Sequence, residues 1–135
     1  MVKVKYSDRT LLELRKFSDA LAALKEAAAL EEDKIVRDSL LLRYVFTFEM
    51  AWQSMRQAMS DLGDRETPRL AFATLETAFK LAWITDPALW KDLRDARNSV
   101  VHAYDEAHAI ALSAFVRSTA IPALDTLHDK LMQER

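Results

Sequence analysis

A scarcity of glycine and proline constrains the fold of this chain more than any other feature. The 135 residues include one glycine and three prolines. Sandwiches, barrels and doubly wound sheets need turn residues at short intervals, whereas helices joined by a few loops do not. Because 50% of the residues are hydrophobic, the chain can build a core, and its length fits one domain, residues 1–135. We therefore expect a single all-α domain.

Hydrophobic periodicity predicts two long helices in the first half of the chain. Apolar residues at i, i+3 and i+4 spacing run from Val36 to Met59, and Gly63 should end that helix in the left-handed conformation. An earlier helix is expected over residues 7–30, where Thr10 and Glu13 have the spacing of a capping box.

The three prolines and one aspartate divide the rest of the chain. Pro68 and Pro87 each follow an N-capping residue, so the third helix should begin at Pro68 and the fourth should run from Pro87 to about Tyr104. Asp105 should cap a fifth helix, which Pro122 should kink or break. The pattern predicts an up-and-down bundle of four to five helices.

Composition excludes several classes of function. Without cysteine, the chain has no disulfide framework, no thiolate zinc site and no cysteine nucleophile. The formal charge of −2 argues against a protein that binds nucleic acid over a broad positively charged surface. It does not exclude a local phosphate site. With three histidines and no HExxH motif, we expect no metal and no cofactor. No signal core or membrane-length apolar run is evident, so we expect a cytoplasmic protein without membrane contact.

The end of the fourth helix carries an unusual density of polar groups. Five polar or ionisable side chains fall within eight residues: Arg97, Asn98, Ser99, His102 and Tyr104. Arg97 lies seven residues from both Trp90 and Tyr104, so it occupies a position on the buried stripe. An arginine there must snorkel, pair with a carboxylate or face a groove. The cluster is therefore either a polar network that stabilises the bundle or a functional site.

Helix geometry separates Arg97 from His102. Residues five apart on a regular helix differ by about 140° in direction and about 7.5 Å in rise. The two side chains can line one cleft if the helix is irregular or if a two-fold symmetric copy contributes the second set. We therefore expect a homodimer with the site near its interface. Glu49, in an aromatic part of the second helix, is expected to pair with Arg97 across the bundle.

Two stretches resemble known families. Arg97-x-x-x-x-His102-x-Tyr104, with Asn98 directly after the arginine, resembles the signature of HEPN domains. The run LLRYVFTFEMAWQSMRQAM, from Leu41 to Met59, resembles the second helix of the nucleotidyltransferase substrate-binding protein family. Members of that family are small helical partners of minimal, MNT-type nucleotidyltransferases. The resemblance covers the chain from about residue 11 to residue 131.

The HEPN resemblance implies a dimeric bundle that cleaves RNA without a metal. Arg97 would then hold the scissile phosphate, and His102 would act as acid or base. Asn98 would orient the arginine or cap neighbouring backbone. Tyr104 is similar to the tyrosine that the partner enzyme adenylylates, and added AMP would block RNA by bulk and charge.

Three functions follow as hypotheses. The first is the toxin of a toxin–antitoxin pair, an RNA-cleaving protein blocked by adenylylation from an MNT-type nucleotidyltransferase encoded nearby. The second is a non-catalytic substrate-binding subunit of a two-component nucleotidyltransferase, which uses the same cleft without chemistry at His102. The third is a helical scaffold with neither activity.

Overall fold

The computed structural model describes residues 5–64, 71–103 and 105–134. They form helices α1 (Asp8–Ala28), α2 (Lys34–Asp61), α3 (Ala71–Lys80), α4 (Pro87–Val100), α5 (Glu106–Phe115) and α6 (Ile121–Gln133). A π turn over Val116–Ala120 joins α5 and α6 into one continuous helical stretch. These residues contain five helical rods and no strand, which confirms the predicted all-α bundle of four to five helices.

Helices α1 and α2 form a long antiparallel hairpin. Ser7, rather than Thr10, caps α1, because its hydroxyl accepts from the Thr10 backbone N–H at 3.2 Å. The predicted capping box was therefore wrong by one turn, and Thr10 is buried instead. At the middle of the hairpin, the Thr47 hydroxyl of α2 donates to the carbonyl of Ala20 at 3.0 Å.

The core joins the hairpin to α4 and to the C-terminal stretch. Side chains with no exposed surface come from all of these elements and include Phe17, Leu24, Tyr44, Leu93 and Leu127. The Tyr44 hydroxyl donates to the Leu93 carbonyl at 2.6 Å, and burial raises the pKa of this phenol well above its usual range. This hydrogen bond fixes α4 against α2, the two helices that carry the candidate site.

Two helices end in a Schellman motif. Gly63 has φ +90°, its N–H donates to Ser60, and the following N–H donates to Met59, which confirms the predicted stop of α2. At the end of α3, Ala82 occupies the same position with φ +62°, and the Trp83 N–H donates to Ala78. Glycine usually takes this position, so the alanine is strained.

Helix α4 begins where the sequence predicts but ends earlier than predicted. The Asp86 carboxylate accepts from the Leu89 N–H at 3.2 Å, and Pro87 occupies the first turn, as predicted. The helix ends at Val100, so the expected extension to Tyr104 was wrong. Tyr104 itself and the predicted helix start at Pro68 lie outside the described residues.

The chain passes Pro122 without a break. The Ile121 N–H donates to the Val116 carbonyl five residues back, which closes the π turn. Pro122 then lies in the first turn of α6, where the widened helix accommodates a residue that has no N–H to donate. Of the predicted kink or break, the break was wrong, because a π turn accommodates the proline within one helical stretch.

The stretch Glu106–Gln133 is long and apolar enough to cross a membrane, by length and composition. The sequence analysis expects no apolar run of membrane length. The buried face of this stretch packs in the bundle core through residues such as Val116, Leu124 and Leu131. A mostly buried core helix passes the same length and composition test; here 33% of the apolar window is buried.

Candidate functional site

An ion pair between α2 and α4 forms the centre of the candidate site. An Arg97 Nη2 hydrogen points to the Glu49 carboxylate, and the two side chains are 33% and 39% exposed. The predicted pairing of Glu49 with Arg97 is therefore confirmed. Because both side chains keep contact with solvent, the pair orients the guanidinium without removing it from a ligand's reach.

Asn98 is the second described partner of the Arg97 side chain. Arg97 Nη1 donates to the Asn98 side-chain oxygen at 3.0 Å, which agrees with the expected orienting role of Asn98. Arg97 Nε is buried and has no acceptor among the described residues. Each Nη atom carries a second hydrogen, so the guanidinium retains donors for an anionic ligand.

These residues line a shallow cavity of about 340 Å³ between α2 and α4. One wall is aromatic, since the rings of Phe48 and Trp52 stack with centroids 5.6 Å apart. The other described lining residues are polar: Glu49, Gln53, Arg56, Arg94, Arg97 and Asn98. Three guanidinium groups beside an aromatic wall suit a ligand that combines an anionic group with a flat one.

His102 lies apart from this cavity. It follows the end of α4 in a turn, where its backbone N–H donates to the Ser99 carbonyl at 3.0 Å. Its side chain is exposed, forms no hydrogen bond within the described part of the chain, and is not among the described residues that line the cavity. The structure therefore brings Glu49, Arg97 and Asn98 together, but not His102. Tyr104 lies outside the described residues.

Arg56 and Arg94 are the charged lining residues that the sequence analysis missed. Arg56 lies seven residues after Glu49, and Arg94 lies three before Arg97, so both share a helix face with a predicted residue. This spacing could have identified both arginines as candidate site residues from the sequence. Within residues 5–64, 71–103 and 105–134, no group of three or more His, Asp or Glu side chains could hold a metal ion.

Comparison with known proteins assigns the family. A family model described as "Nucleotidyltransferase substrate binding protein like" matches residues 12–133. The chain belongs to this family. The family match covers both α2, with Glu49, and α4, with Arg97 and Asn98, so the whole candidate site lies within it.

A solved structure shares the fold of this family member. The crystal structure of a protein from Thermus thermophilus is similar with a TM-score of 0.71 and 25% sequence identity. The similarity covers 85% of this chain and 98% of that protein. No protein of curated function gives a significant sequence match.

Proposed function

We propose that this chain is the substrate-binding, non-catalytic subunit of a two-component nucleotidyltransferase and acts in the cytoplasm. Its partner would be a nucleotidyltransferase of the MNT type encoded nearby. The observation that supports this most strongly is the Arg97 cavity, which lies inside the family match to substrate-binding proteins.

The cavity has the chemistry of a binding site for a small anionic substrate. Glu49 orients Arg97, while Arg56 and Arg94 add two further guanidinium groups. A phosphate or carboxylate can accept two parallel hydrogen bonds from one guanidinium. A flat part of the substrate can pack on the half-buried Trp52 ring. These contacts would hold an acceptor substrate while the partner transfers the nucleotidyl group.

The position of His102 favours this role over catalysis by the chain itself. A general acid or base must be held within hydrogen-bond reach of the proton that it transfers. The exposed His102 ring has no partner to orient it within the described residues, and the cavity is lined without it. Binding requires only the groups that the cavity already holds.

The second candidate remains the HEPN-like toxin that cleaves RNA without a metal. In its favour, Arg97, Asn98 and the exposed His102 all lie at the C-terminal end of α4. Under this hypothesis Arg97 and His102 are catalytic, and AMP transferred to Tyr104 by the partner blocks RNA.

We also propose that the protein is a homodimer. Ile35, Leu42 and Phe46 share one face of α2 and are 80%, 70% and 55% exposed. The same face continues through Glu49, three residues beyond Phe46. An apolar stripe of this kind marks an interaction surface, and a second copy covering it would bring two Arg97 cavities near the interface.

Expression of the chain alone and together with the neighbouring nucleotidyltransferase tests the proposed function. We expect normal growth in both cases, a complex that co-purifies, and an unchanged intact mass of this chain. Arg97→Ala should lose substrate binding. The matched control is Asp95→Asn, which alters an exposed residue of the same helix, α4.

The toxin hypothesis predicts a different outcome. The chain alone would arrest growth, His102→Ala would remove the arrest, and co-expression would add the mass of one or more AMP units at Tyr104. Growth arrest by the chain alone, together with that mass addition on co-expression, would overturn the proposed role as a non-catalytic subunit.

A further inference from the structure

A second cavity, here called the π-turn cavity, lies where the α3–α4 connection meets the C-terminal helical stretch. One side is formed by residues 83–86 and the first turn of α4, and the other by the π turn and the first two turns of α6. Its volume is about 320 Å³, at the lower end of the range of about 300–1,000 Å³ that is usual for small-molecule sites. None of its described lining residues also lines the Arg97 cavity, so the two are separate.

The side of the π-turn cavity that belongs to the α3–α4 connection is rigid. The Schellman motif at Ala82 and the cap at Asp86 fix the two ends of the connection. Trp83 and Trp90 are only 4% and 3% exposed, and the Trp90 ring packs against Phe48 with centroids 6.3 Å apart. Because packing holds both indoles in place, this side of the cavity is preformed.

Both indoles carry an N–H donor that the described residues leave unpaired. The N–H groups of Trp83 and Trp90 have no acceptor among these residues, although a buried tryptophan usually pairs this group. Neither nitrogen is one of the fully enclosed atoms without a partner, so each keeps some exposed surface. Both rings line the π-turn cavity, and an acceptor atom of a ligand there can pair with them.

The π turn supplies acceptors on the opposite side. The Ile121 N–H donates to Val116, so the Arg117 carbonyl loses the donor that an α-helix would give it. Pro122 has no N–H, so the Ser118 carbonyl loses its α-helical donor as well. Two successive carbonyls beside the cavity therefore lack the partner four residues ahead. Turns of this kind are frequent at functional sites.

The remaining polar groups of the cavity are hydroxyls and one carboxylate. The hydroxyl oxygens of Ser118 and Thr119 lie 3.1 Å apart, and the Thr126 hydroxyl donates to the Pro122 carbonyl at 3.1 Å. Asp86 caps α4 through Oδ1, which leaves Oδ2 as an acceptor. No lysine, arginine or histidine is among the described residues that line this cavity.

These groups select a ligand by charge and by hydrogen bonding. An anion would meet the Asp86 carboxylate without a cation to balance it. An organic ammonium ion could pair with Asp86, but it cannot accept from the indole N–H groups. A purely apolar ring would leave both the indole donors and the π-turn carbonyls unpaired. Hydroxyl groups donate and accept, so a neutral ligand that carries several of them satisfies both sides.

We propose that the π-turn cavity binds a neutral, polyhydroxylated six-membered ring such as a pyranose sugar. Its hydroxyls accept from the indole N–H groups of Trp83 and Trp90, and donate to Asp86 and to the π-turn carbonyls. Its apolar C–H groups contact Leu89 and Ala123, which also line the cavity. The small volume suits one such ring. The proposal does not depend on the substrate-binding role of the Arg97 cavity.

A proton–nitrogen NMR titration of the isotope-labelled chain tests the proposal. The chain has three tryptophans, so it gives three indole peaks, which Trp83→Phe and Trp90→Phe assign. Glucose, galactose and mannose are the probes. We expect at least one of them to move the Trp83 and Trp90 peaks saturably and to leave the Trp52 peak in place. The uronate of the same sugar should bind about fivefold more weakly or worse, because its carboxylate meets Asp86.

The Asp86→Asn variant tests the carboxylate. Asparagine can still cap α4, but it removes the charged acceptor, so sugar binding should weaken about tenfold. The matched control is Asp105→Asn, the same change at the N-cap of α5 and outside the cavity, which should bind sugar like the original chain. Circular dichroism melting curves check that both variants fold.

Three results would overturn the proposal. The first is that none of the three sugars moves the two indole peaks, even at tens of millimolar. The second is that cyclohexanol or cyclohexylammonium, which keep the ring but lack the set of hydroxyls, moves the peaks as strongly as the sugars. The third is an equal loss of sugar binding in Asp86→Asn and Asp105→Asn.

Discussion

Replacement of Glu32 by glutamine should destabilise the bundle far more than the same change at Glu31. Glu32 lies between α1 and α2, and its carboxylate accepts hydrogen bonds from three side chains. These are the Ser113 hydroxyl of α5, Arg37 Nε at 3.2 Å and Arg117 Nε at 3.2 Å. Arg117 also donates from Nη1 to the Ala28 carbonyl at 2.6 Å. One carboxylate thus ties the α1–α2 connection to the C-terminal helical stretch.

The magnitude follows from burial and hydrogen bonding. The side chains of Glu32, Arg37 and Arg117 are 25%, 11% and 28% exposed, so solvent screens their interaction incompletely. A hydrogen bond to a charged group contributes about 1.5–3 kcal/mol. Glutamine keeps one acceptor oxygen, but it leaves Arg117 without this counter-charge and leaves Arg37 with only the exposed Glu106, 3.7 Å away. We expect a loss of about 2 kcal/mol in the free energy of unfolding, or about 6–8 °C in Tm.

The pH dependence gives a second, independent check. The hydrogen bond from Ser113 and the neighbouring Arg37 and Arg117 lower the pKa of Glu32 below its ordinary value of 4.5. Between the folded and unfolded pKa values, the unfolded chain binds the additional proton. The stabilisation is therefore present above about pH 4.5 and is lost as the pH falls through the folded pKa.

Urea unfolding at pH 7 and at pH 3 measures both effects. Glu31→Gln removes the same charge from an exposed neighbour and should change the free energy of unfolding by less than about 0.5 kcal/mol. The gap between the two variants should narrow at pH 3. Equal effects of the two substitutions at pH 7, or a gap that does not change with pH, would refute the network argument.

Two further predictions concern a strained residue and the apolar face of α2. Ala82→Gly should raise the free energy of unfolding by about 0.5–1 kcal/mol, because glycine adopts the left-handed conformation without strain. Ala22→Gly, at an exposed position within α1, should instead lower the free energy of unfolding by about 0.5–1 kcal/mol. Thermal unfolding measures both variants, and a change of the same sign in both would contradict this reasoning. Light scattering should give a dimer for the original chain and a monomer for Leu42→Glu combined with Phe46→Glu. A monomeric original chain would contradict the proposed interface.

The sequence predicted features that depend on neighbouring residues. Asp86 and Asp105 were identified as caps, and Gly63 as a helix stop, because each acts within one turn of its own position. The pair of Glu49 and Arg97 was also predicted, since a charged residue on each of two apolar faces needs a partner.

The features that escaped prediction depend on the assembled bundle. The role of Glu32 escaped prediction, because its partners Ser113 and Arg117 lie 81 and 85 residues away along the chain. The π turn before Pro122 depends on the packing of the whole C-terminal stretch. His102 follows the early end of α4 and is not among the described residues that line the cavity, and helical periodicity alone did not reveal that end.

Nucleotidyl transfer by the purified pair of proteins tests the central claim most directly. The partner nucleotidyltransferase is incubated with α-labelled ATP and a small-molecule cell extract, with and without this chain. We expect label on an extract acceptor only when the chain is present. Arg97→Ala should lower that labelling about tenfold, as expected for loss of a charge-assisted hydrogen bond, and His102→Ala should not change it. Label on Tyr104 of this chain, with no labelled acceptor in the extract, would contradict the account.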